Sequence, residues 1–261
     1  MAKYYYIGTF LPTLYFDAPS EINLTEFDNL LLDNLTVNDY RKTRAIRSLF
    51  DILNLRSLWL GEDLNPWGNL NEQELEEVLF DQKGLPSYVY DFLEAHEKLE
   101  DRLHHFPGLL ASFFREAAEG EPEGFSRDYL NFEREWRLVF TGFRAKKLGR
   151  DLGIELQYEN PDEELIAQML LQKDAKIFEP PEKYHDLKVL FDKFSNDPLA
   201  LERALDEYRF NYIENLVGMA DIFSINRILA YMVQLMILQK WFALDKDKGV
   251  EIIATIVKEL S

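Results

Sequence analysis

The fold is decided by the stretch IFSINRILAYMVQLMILQKWFAL at residues 222–244. Its apolar side chains recur at the three-to-four-residue spacing of a helix face, and further apolar residues fill the flanks. Ser224 is suited to cap this helix, because its hydroxyl can accept a hydrogen bond from a free backbone N–H of the first turn. The pattern predicts a helix that is apolar on nearly all sides.

Such a helix is either buried in a protein core or embedded in a membrane. A membrane span needs roughly 18 or more apolar residues without charge. Here the uncharged run extends only from Ile228 to Gln239, between Arg227 and Lys240, and it contains Gln234. We therefore expect a buried core helix and no direct membrane span.

The end of this helix is predicted from the charges and the glycine at residues 244–249, which favour a turn. A short amphipathic helix over residues 250–260 is expected to follow. Together with residues 208–213, we expect it to cover the core helix.

The rest of the chain repeats the helical spacing in about ten segments, several of them opened by residues that suit helix N-termini. No segment alternates strands with helices, which argues against a parallel α/β sheet. The expected fold class is mainly all-α. One exception is predicted: residues 4–10 are aromatic and β-branched and precede Pro12, which is typical of a short strand or extended segment.

An internal boundary is predicted at residues 119–124, EGEPEG, which combine charge, glycine and proline without an apolar anchor. We expect an N-terminal helical lobe over residues 1–119 and a C-terminal helical lobe over residues 125–261. The alternative is one continuous elongated domain.

Charge and composition narrow the classes of function. The chain carries 47 Asp and Glu against 29 Lys and Arg, a formal net charge of −18. An acidic field repels phosphate backbones, so we expect no nucleic-acid ligand. It permits docking to a basic protein surface, or it simply keeps the protein in solution.

The absence of cysteine excludes disulfides, thiolate metal sites and a cysteine nucleophile. The first residues, MAKYYY, lack the long apolar core of a signal peptide. The expected compartment is therefore the cytoplasm.

A search for reactive groups gives no motif. A zincin helix needs a second histidine four residues after the first, but Glu100 stands there after His96. The chain has neither a phosphate-binding glycine loop nor a GxSxG elbow. We assign no catalytic, cofactor-binding or metal-binding residue and expect a protein that is not an enzyme. Because an acid/base pair cannot be recognised among so many carboxylates without geometry, a helical enzyme with unrecognised carboxylate chemistry stays as an alternative.

Two basic islands stand out in the acidic chain. Their members are Arg41, Arg44 and Arg47 in the first, and Arg134, Arg137, Arg144 and Lys147 in the second. Either they pair with carboxylates of the same chain, or they form a docking surface for an acidic partner.

Three stretches carry a family resemblance. They are YYYI and the following LP at residues 4–12, DYLNFEREW continuing to RAKKLG at residues 128–149, and FSINRILAY continuing to QKWFALDKDKG at residues 223–249. Together they resemble a bacterial family encoded in V-type ATPase operons, for example in chlamydiae, spirochaetes and Bacteroidetes, where it takes the place of the C subunit. The resemblance covers most of the chain, from Tyr4 to the end.

The C subunit of the A/V-type ATPases, known as the d subunit in eukaryotes, is an all-helical, funnel-shaped protein of three similar lobes. It couples the central rotor axle to the membrane proteolipid ring and has no catalytic residues. SYVYDFLE at residues 87–94 is similar to SRDYLNFE at residues 126–133. Either this is a chance similarity between amphipathic helices, or it reflects repeated helical lobes of the same kind. The C subunit is usually longer, however, and Asn226 stands where the family has an acidic residue early in the last long helix.

The resemblance implies a non-catalytic subunit of a bacterial V-type ATPase that takes part in ATP-linked ion transport. Its implied partners are the rotor axle subunits and the proteolipid ring, with no cofactor and no small-molecule substrate. The implied location is cytoplasmic, peripheral to the inner membrane through the ATPase complex. The alternative within the same machine is an assembly factor or a peripheral-stalk protein.

Overall fold

The computed structural model describes residues 3–120 and 123–259, and in its last helix the side chains as far as residue 242. Its helices are α1 (Tyr5–Phe10), α2 (Leu24–Asn34), α3 (Val37–Leu60), α4 (Glu72–Asp81), α5 (Ser87–Ala95), α6 (Leu99–Gly120), α7 (Phe125–Leu148), α8 (Leu152–Glu155), α9 (Glu164–Leu170), α10 (His185–Phe194), α11 (Pro198–Val217) and α12 (Ile225–Glu259). A 3₁₀ turn at Glu182–Tyr184 precedes α10. No strand occurs among these described residues, and the prediction of a mainly all-α fold is confirmed.

The prediction of an N-terminal strand or extended segment is wrong, because Tyr5–Phe10 form the helix α1. Strand preference in aromatic and β-branched residues depends on a neighbouring strand to pack and pair with, and the described part of the chain offers none. In the helix, Tyr6 and Phe10 are one turn apart and their rings stack, with centroids 5.9 Å apart.

α12 contains the core helix that the sequence predicts. The hydroxyl of Ser224 accepts a hydrogen bond from the backbone N–H of Arg227 at 3.4 Å, as expected of a cap. Leu229, Met232 and Leu235 are fully buried. None of the helices in the described part of the chain combines the length and the apolarity needed to cross a membrane.

The predicted end of this helix is wrong. α12 continues to Glu259, without the turn expected at residues 244–249 and without a separate last helix at residues 250–260. A single glycine inside a helix costs only about 1 kcal/mol relative to alanine, so Gly249 does not by itself end it. Residue 260 and the side chains of residues 250–259 lie outside the described ones, whereas Phe210 and Ile213 of the other segment expected to cover the core helix are buried.

The chain divides into two compact units. The first unit comprises the described parts of Met1–Lys42 and Arg203–Ser261, and the second unit comprises Thr43–Glu202. The second unit is thus inserted into the sequence of the first.

In the first unit α2 and α11 pack against α12. Phe27 of α2 meets Tyr231 of α12 with ring centroids 5.3 Å apart. Gln234 of α12 is buried and donates to the backbone carbonyl of Phe210 in α11 at 3.2 Å. The core of this unit therefore forms along the predicted core helix.

In the second unit α6 and α7 pack on each other, and α8, α9 and α10 pack on α7. The boundary predicted at residues 119–124 falls between α6 and α7, and residues 121–122 of it lie outside the described ones. The expected lobes at residues 1–119 and 125–261 stay a prediction.

Candidate functional site

A groove in the first unit is lined by the end of α1, the loop after it and one face of α2. Its volume is about 620 Å³. We call it the α1–α2 groove; its lining residues are Phe10, Pro12, Glu21, Ile22, Glu26, Asn29, Leu30 and Asp33.

The start of α1 is fixed by Tyr4, which is buried. Its backbone N–H donates to the carbonyl of Phe223 at 2.8 Å, and its hydroxyl donates to Asp39 at 2.5 Å. Burial raises the pKa of the Tyr4 hydroxyl, and the hydrogen bond to Asp39 raises it further. Burial alone would raise the pKa of Asp39, but the hydrogen bonds from Lys42 and Tyr4 hold it below the usual value.

Gly8 lets α1 lie directly on the segment before α12. A Cβ atom at this position would stand 2.6 Å from the ring of Phe223 and 3.0 Å from the carbonyl oxygen of Ile222. Ile7 beside it is fully buried. One face of α1 is therefore closed against the first unit.

Another side of α1 is open and aromatic, with Tyr6 and Phe10 60% and 53% exposed. Tyr5 lies at its edge: it is 57% exposed, and its ring is 4.7 Å from that of Phe223 between centroids. Contiguous exposed apolar surface of this kind marks interaction sites on soluble proteins. This face borders the groove at Phe10.

The loop between α1 and α2 is held on α11. Phe16 meets Phe210 edge to face at 5.8 Å between centroids. Arg203 donates to Asp17 at 2.9 Å and lies over the ring of Phe16. Because this loop is anchored, the groove has a fixed wall.

α2 separates its side chains between two faces. Leu24, Phe27 and Leu31 are buried toward the first unit. The groove face has the i, i+3, i+4, i+7 spacing that places side chains in one row along a helix, and its members are Glu26, Asn29, Leu30 and Asp33. The helix starts at a capping box between Asn23 and Glu26.

The groove combines apolar and acidic lining residues. Four of its lining side chains are apolar, those of Phe10, Pro12, Ile22 and Leu30, and three carry carboxylates, those of Glu21, Glu26 and Asp33. Neither Glu21 nor Asp33 forms an ion pair with a described residue, and residues 4–40 contain no Lys, Arg or His.

Burial raises the pKa of the nearby Tyr231 to about 12, to which the charge of Glu21 adds. The phenol beneath α2 is therefore neutral at physiological pH and adds no charge of its own to the site.

The second basic island is built into the fold of the second unit. Arg134 reaches Glu159, and its Nη1 lies 2.6 Å from Glu163. These hydrogen bonds raise the pKa of Arg134 against the opposing effect of its burial. Arg137 pairs with the buried carboxylate of Glu133 at 3.2 Å. For these two arginines the expectation of pairing within the chain is confirmed.

Lys147 of the same island donates to the carbonyl of Ser195 at 2.6 Å, at the end of α10. Arg144 is exposed, as are Arg41 and Arg44 of the first island, whereas Arg47 is partly buried. The structure thus spreads the first island along α3 and uses most of the second for internal bonds.

The histidines cluster without forming a recognisable metal centre. The rings of His96 and His105 stack with centroids 4.2 Å apart, and His104 meets His105 at 4.8 Å. Burial and the neighbouring His105 lower the pKa of His96. Among the residues described, no three His, Asp or Glu side chains are placed to hold one metal ion.

Three carboxylates of the described residues are buried, and each accepts hydrogen bonds from donors of its own fold. Asp51 accepts from the backbone N–H of Asn69 at 2.6 Å, and Glu133 accepts from Trp136 at 3.1 Å. Asp206 accepts from three side chains of α11 and α12. Burial raises the pKa of Asp51, while the hydrogen bonds from Asn69 and Leu70 oppose this effect.

Comparison with known proteins gives a family and several relatives. The model of the family described as "Protein of unknown function (DUF2764)" matches residues 1–261. An uncharacterized protein of Chlamydia pneumoniae is 30% identical over 266 residues, which is 100% of this chain and 99% of that protein. Uncharacterized proteins of Chlamydia trachomatis and Chlamydia muridarum are each 25% identical, over 83% and 99% of this chain and 83% and 98% of their own lengths. No solved structure gives a significant match. The chain belongs to the DUF2764 family.

Proposed function

We propose that this chain is a non-catalytic component of a bacterial V-type ATPase, an adaptor like the C subunit that couples the central rotor axle to the membrane proteolipid ring. In this role it binds at the cytoplasmic side of the inner membrane through the complex and takes part in ATP-linked ion transport.

The observation that carries the proposal is the open aromatic face of α1 beside the α1–α2 groove. An adaptor acts by gripping other proteins of the complex, so it needs exposed surface that a partner can bury. Tyr5, Tyr6 and Phe10 offer such surface on a helix whose other face is fixed by Tyr4 and Gly8. Because this apolar surface is held on a rigid support, little conformational freedom is lost when a partner binds it. A rigid support also suits a protein that transmits torque.

Two further observations support the proposal. The stretches that resemble the V-type ATPase operon family lie on α1, α7 and α12, and α7 and α12 are main helices of the second and first units. The relatives come from Chlamydia, one of the groups in which the resembled family is expected.

The test is retention of ATPase subunits by the full-length chain. The tagged protein is incubated with the detergent-solubilised proteolipid ring and, separately, with the axle subunits of the same ATPase. We expect both to be retained by the native chain. The variant Phe10→Ser should retain less of at least one partner, because it removes exposed aromatic surface from α1.

The matched control is Phe80→Ser in the second unit, since Phe80 is 89% exposed and lies on α4. It should behave like the native chain. If neither ring nor axle is retained, in a preparation where the other subunits assemble with one another, the adaptor proposal is wrong. Retention by unassembled subunits but not by the finished complex would identify an assembly factor instead.

A further inference from the structure

The α1–α2 groove has the chemistry of a docking site for one kind of partner. Half of its eight lining residues are apolar, all of its charged lining residues are acidic, and one face of α2 supplies four of the eight. We propose that it binds a basic amphipathic helix of a partner protein, with apolar side chains against the apolar lining and Lys or Arg against the acidic groups. The inference rests on the proposed function, because it names the chemical class of the partner that the same docking surface would bind.

The length of the wall argues for a helix as the occupant. Glu26 and Asp33 stand seven residues apart on α2, which is about 10 Å of helix at 1.5 Å per residue. Leu30 lies between them on the same face. Two turns of a partner helix present anchors at i, i+3 or i+4, and i+7, and span the same distance. Phe10, more than half exposed, closes one end of this track.

The charges select a basic partner. Neither Glu21 nor Asp33 forms an ion pair with a described residue, and Glu26 uses one oxygen to accept the backbone N–H of Asn23 at 3.0 Å. Each carboxylate therefore keeps oxygen atoms available to a Lys or Arg from outside. No Lys, Arg or His occurs between Tyr4 and Tyr40 to compete for them.

The same charges argue against two other occupants. A second copy of this chain would bring an equally acidic groove and a net charge of −18, so self-association at this face is opposed by repulsion. An anionic lipid surface would be repelled by the same field. A basic helix is attracted by it and still buries its apolar face.

The experiment measures binding of a defined probe to the full-length chain by fluorescence anisotropy. The probe is a fluorescein-labelled helical peptide of leucine and lysine whose leucines follow the i, i+3, i+4, i+7 pattern. A scrambled peptide of the same composition is the comparison probe. We expect saturable binding of the amphipathic peptide that weakens with salt, and clearly weaker binding of the scrambled one.

The test variant is Glu21→Gln combined with Asp33→Asn, and the control is Glu76→Gln combined with Asp81→Asn on α4. Both double variants remove one Glu and one Asp from exposed positions, so they have the same net charge. We expect the test variant to bind the amphipathic peptide about fivefold to tenfold more weakly, since exposed ion pairs contribute up to about 1 kcal/mol each. The control should bind it like the native chain.

Equal weakening in both double variants would mean that the peptide responds only to net charge, and it would overturn the proposal. Equal binding of the amphipathic and scrambled peptides would do the same. A dimer of the native chain that is seen by sedimentation equilibrium and is lost in Phe10→Ser would also overturn the proposal, because a second copy of the chain would then occupy the groove.

The two proposals fail separately. If the groove variant loses peptide binding while neither proteolipid ring nor axle subunits are retained, the adaptor function is wrong and the groove assignment stands. If ring and axle are retained equally by the native chain and by the Glu21→Gln, Asp33→Asn variant, and both bind the peptide alike, the groove assignment is wrong and the adaptor function stands.

Discussion

Trp241 donates its indole N–H to the carboxylate of Asp206 at 3.1 Å, joining α12 to α11 inside the first unit. The same carboxylate accepts from Lys240 at 2.9 Å and from Arg209 at 2.7 Å. It is only 5% exposed, so its charge is compensated by these donors rather than by water.

The Asp206→Ala variant should be strongly destabilised. Removing one partner of a buried charged network leaves the others without compensation, which costs about 3–5 kcal/mol. The loss of unfolding free energy is measured by urea denaturation followed by circular dichroism. The control is Glu207→Ala, since Glu207 is the next residue and is exposed. It should change the free energy of unfolding by less than about 0.5 kcal/mol. Similar stabilities for the two variants would show that the Asp206 network does not hold α11 and α12 together.

A charge at Leu235 should prevent folding. This side chain is fully buried in α12, and an unpaired charge at such a position cannot be hydrated. We expect Leu235→Asp to be insoluble or unfolded, as judged by circular dichroism and size-exclusion chromatography. Leu235→Met keeps the volume and apolarity and should cost less than about 1.5 kcal/mol. A soluble, fully folded Leu235→Asp protein would contradict the placement of this face in the core.

Gly142 in α7 is required by the close approach of Phe178. A Cβ atom at this glycine would stand 2.7 Å from two atoms of the Phe178 ring. The variant Gly142→Ala should therefore lose about 1–3 kcal/mol through overpacking, measured as a lower midpoint of urea unfolding. Gly120→Ala is the control, because no atom lies within 4 Å of its Cβ position, and it should be neutral or slightly more stable. Equal effects of the two substitutions would mean that the ring of Phe178 moves aside at little cost.

The hydrogen bond from Tyr4 to Asp39 should make the stability of the first unit depend on pH in two ranges. The pKa of Asp39 is lowered in the fold, so its contribution is present above the ordinary value of 3.8 and is lost as the pH falls through the folded-state value. The pKa of Tyr4 is raised, so its contribution is present below 10.0 and is lost as the pH rises through the folded-state value.

Tyr4→Phe removes the hydroxyl and tests both ranges. At neutral pH we expect a loss of about 1–3 kcal/mol, as for a hydrogen bond to a charged group. The difference from the native chain should shrink in acid below pH 3.8 and at alkaline pH above 10.0. Unfolding by urea at a series of pH values measures it. A difference that stays constant across the whole series would rule out this hydrogen bond as the source.

The helices that the sequence predicts best are those with both periodicity and a clear stop. α7 has both features, since its apolar residues keep helical spacing and Gly149 ends it in the left-handed conformation that glycine favours, with φ of 65°. The core part of α12 follows from its apolar pattern alone, because the stop expected at residues 244–249 is wrong.

Other boundaries depend on the surroundings, which a sequence pattern does not contain. Residues 4–10 have strand preference, yet they form a helix that packs through Ile7 and Gly8 on the segment before α12. Pro107 is of a residue type that usually kinks or ends a helix, yet α6 runs through it and the break lies at His96, before α6. In both cases long-range packing decides between local alternatives of similar free energy.

The sequence does not predict the α1–α2 groove, because the apolar lining residues Phe10 and Pro12 are separated in the chain from Ile22 and Leu30 by a loop. Their juxtaposition requires the anchoring of that loop on α11. The negative charge of the groove, however, can be predicted, because the sequence has no basic residue from Tyr4 to Tyr40. The sequence also offers the two basic islands as a docking surface, but the structure uses most of the second island for bonds within the chain.

The insertion of the second unit into the sequence of the first has a consequence for the order of synthesis. Residues 43–202 are contiguous, so they can fold while the chain is still being made, whereas α2 must wait for α11 and α12. At about 5–20 residues per second, the ribosome needs roughly ten to thirty seconds to make the inserted part. During that interval the aromatic α1 segment lacks the segment before α12 on which it packs, and it is open to chaperones or premature partners. We therefore expect a ribosome-bound chain that ends at residue 202 and continues into a flexible linker long enough to fill the exit tunnel to be cleaved by protease within residues 4–42 and protected within residues 43–202.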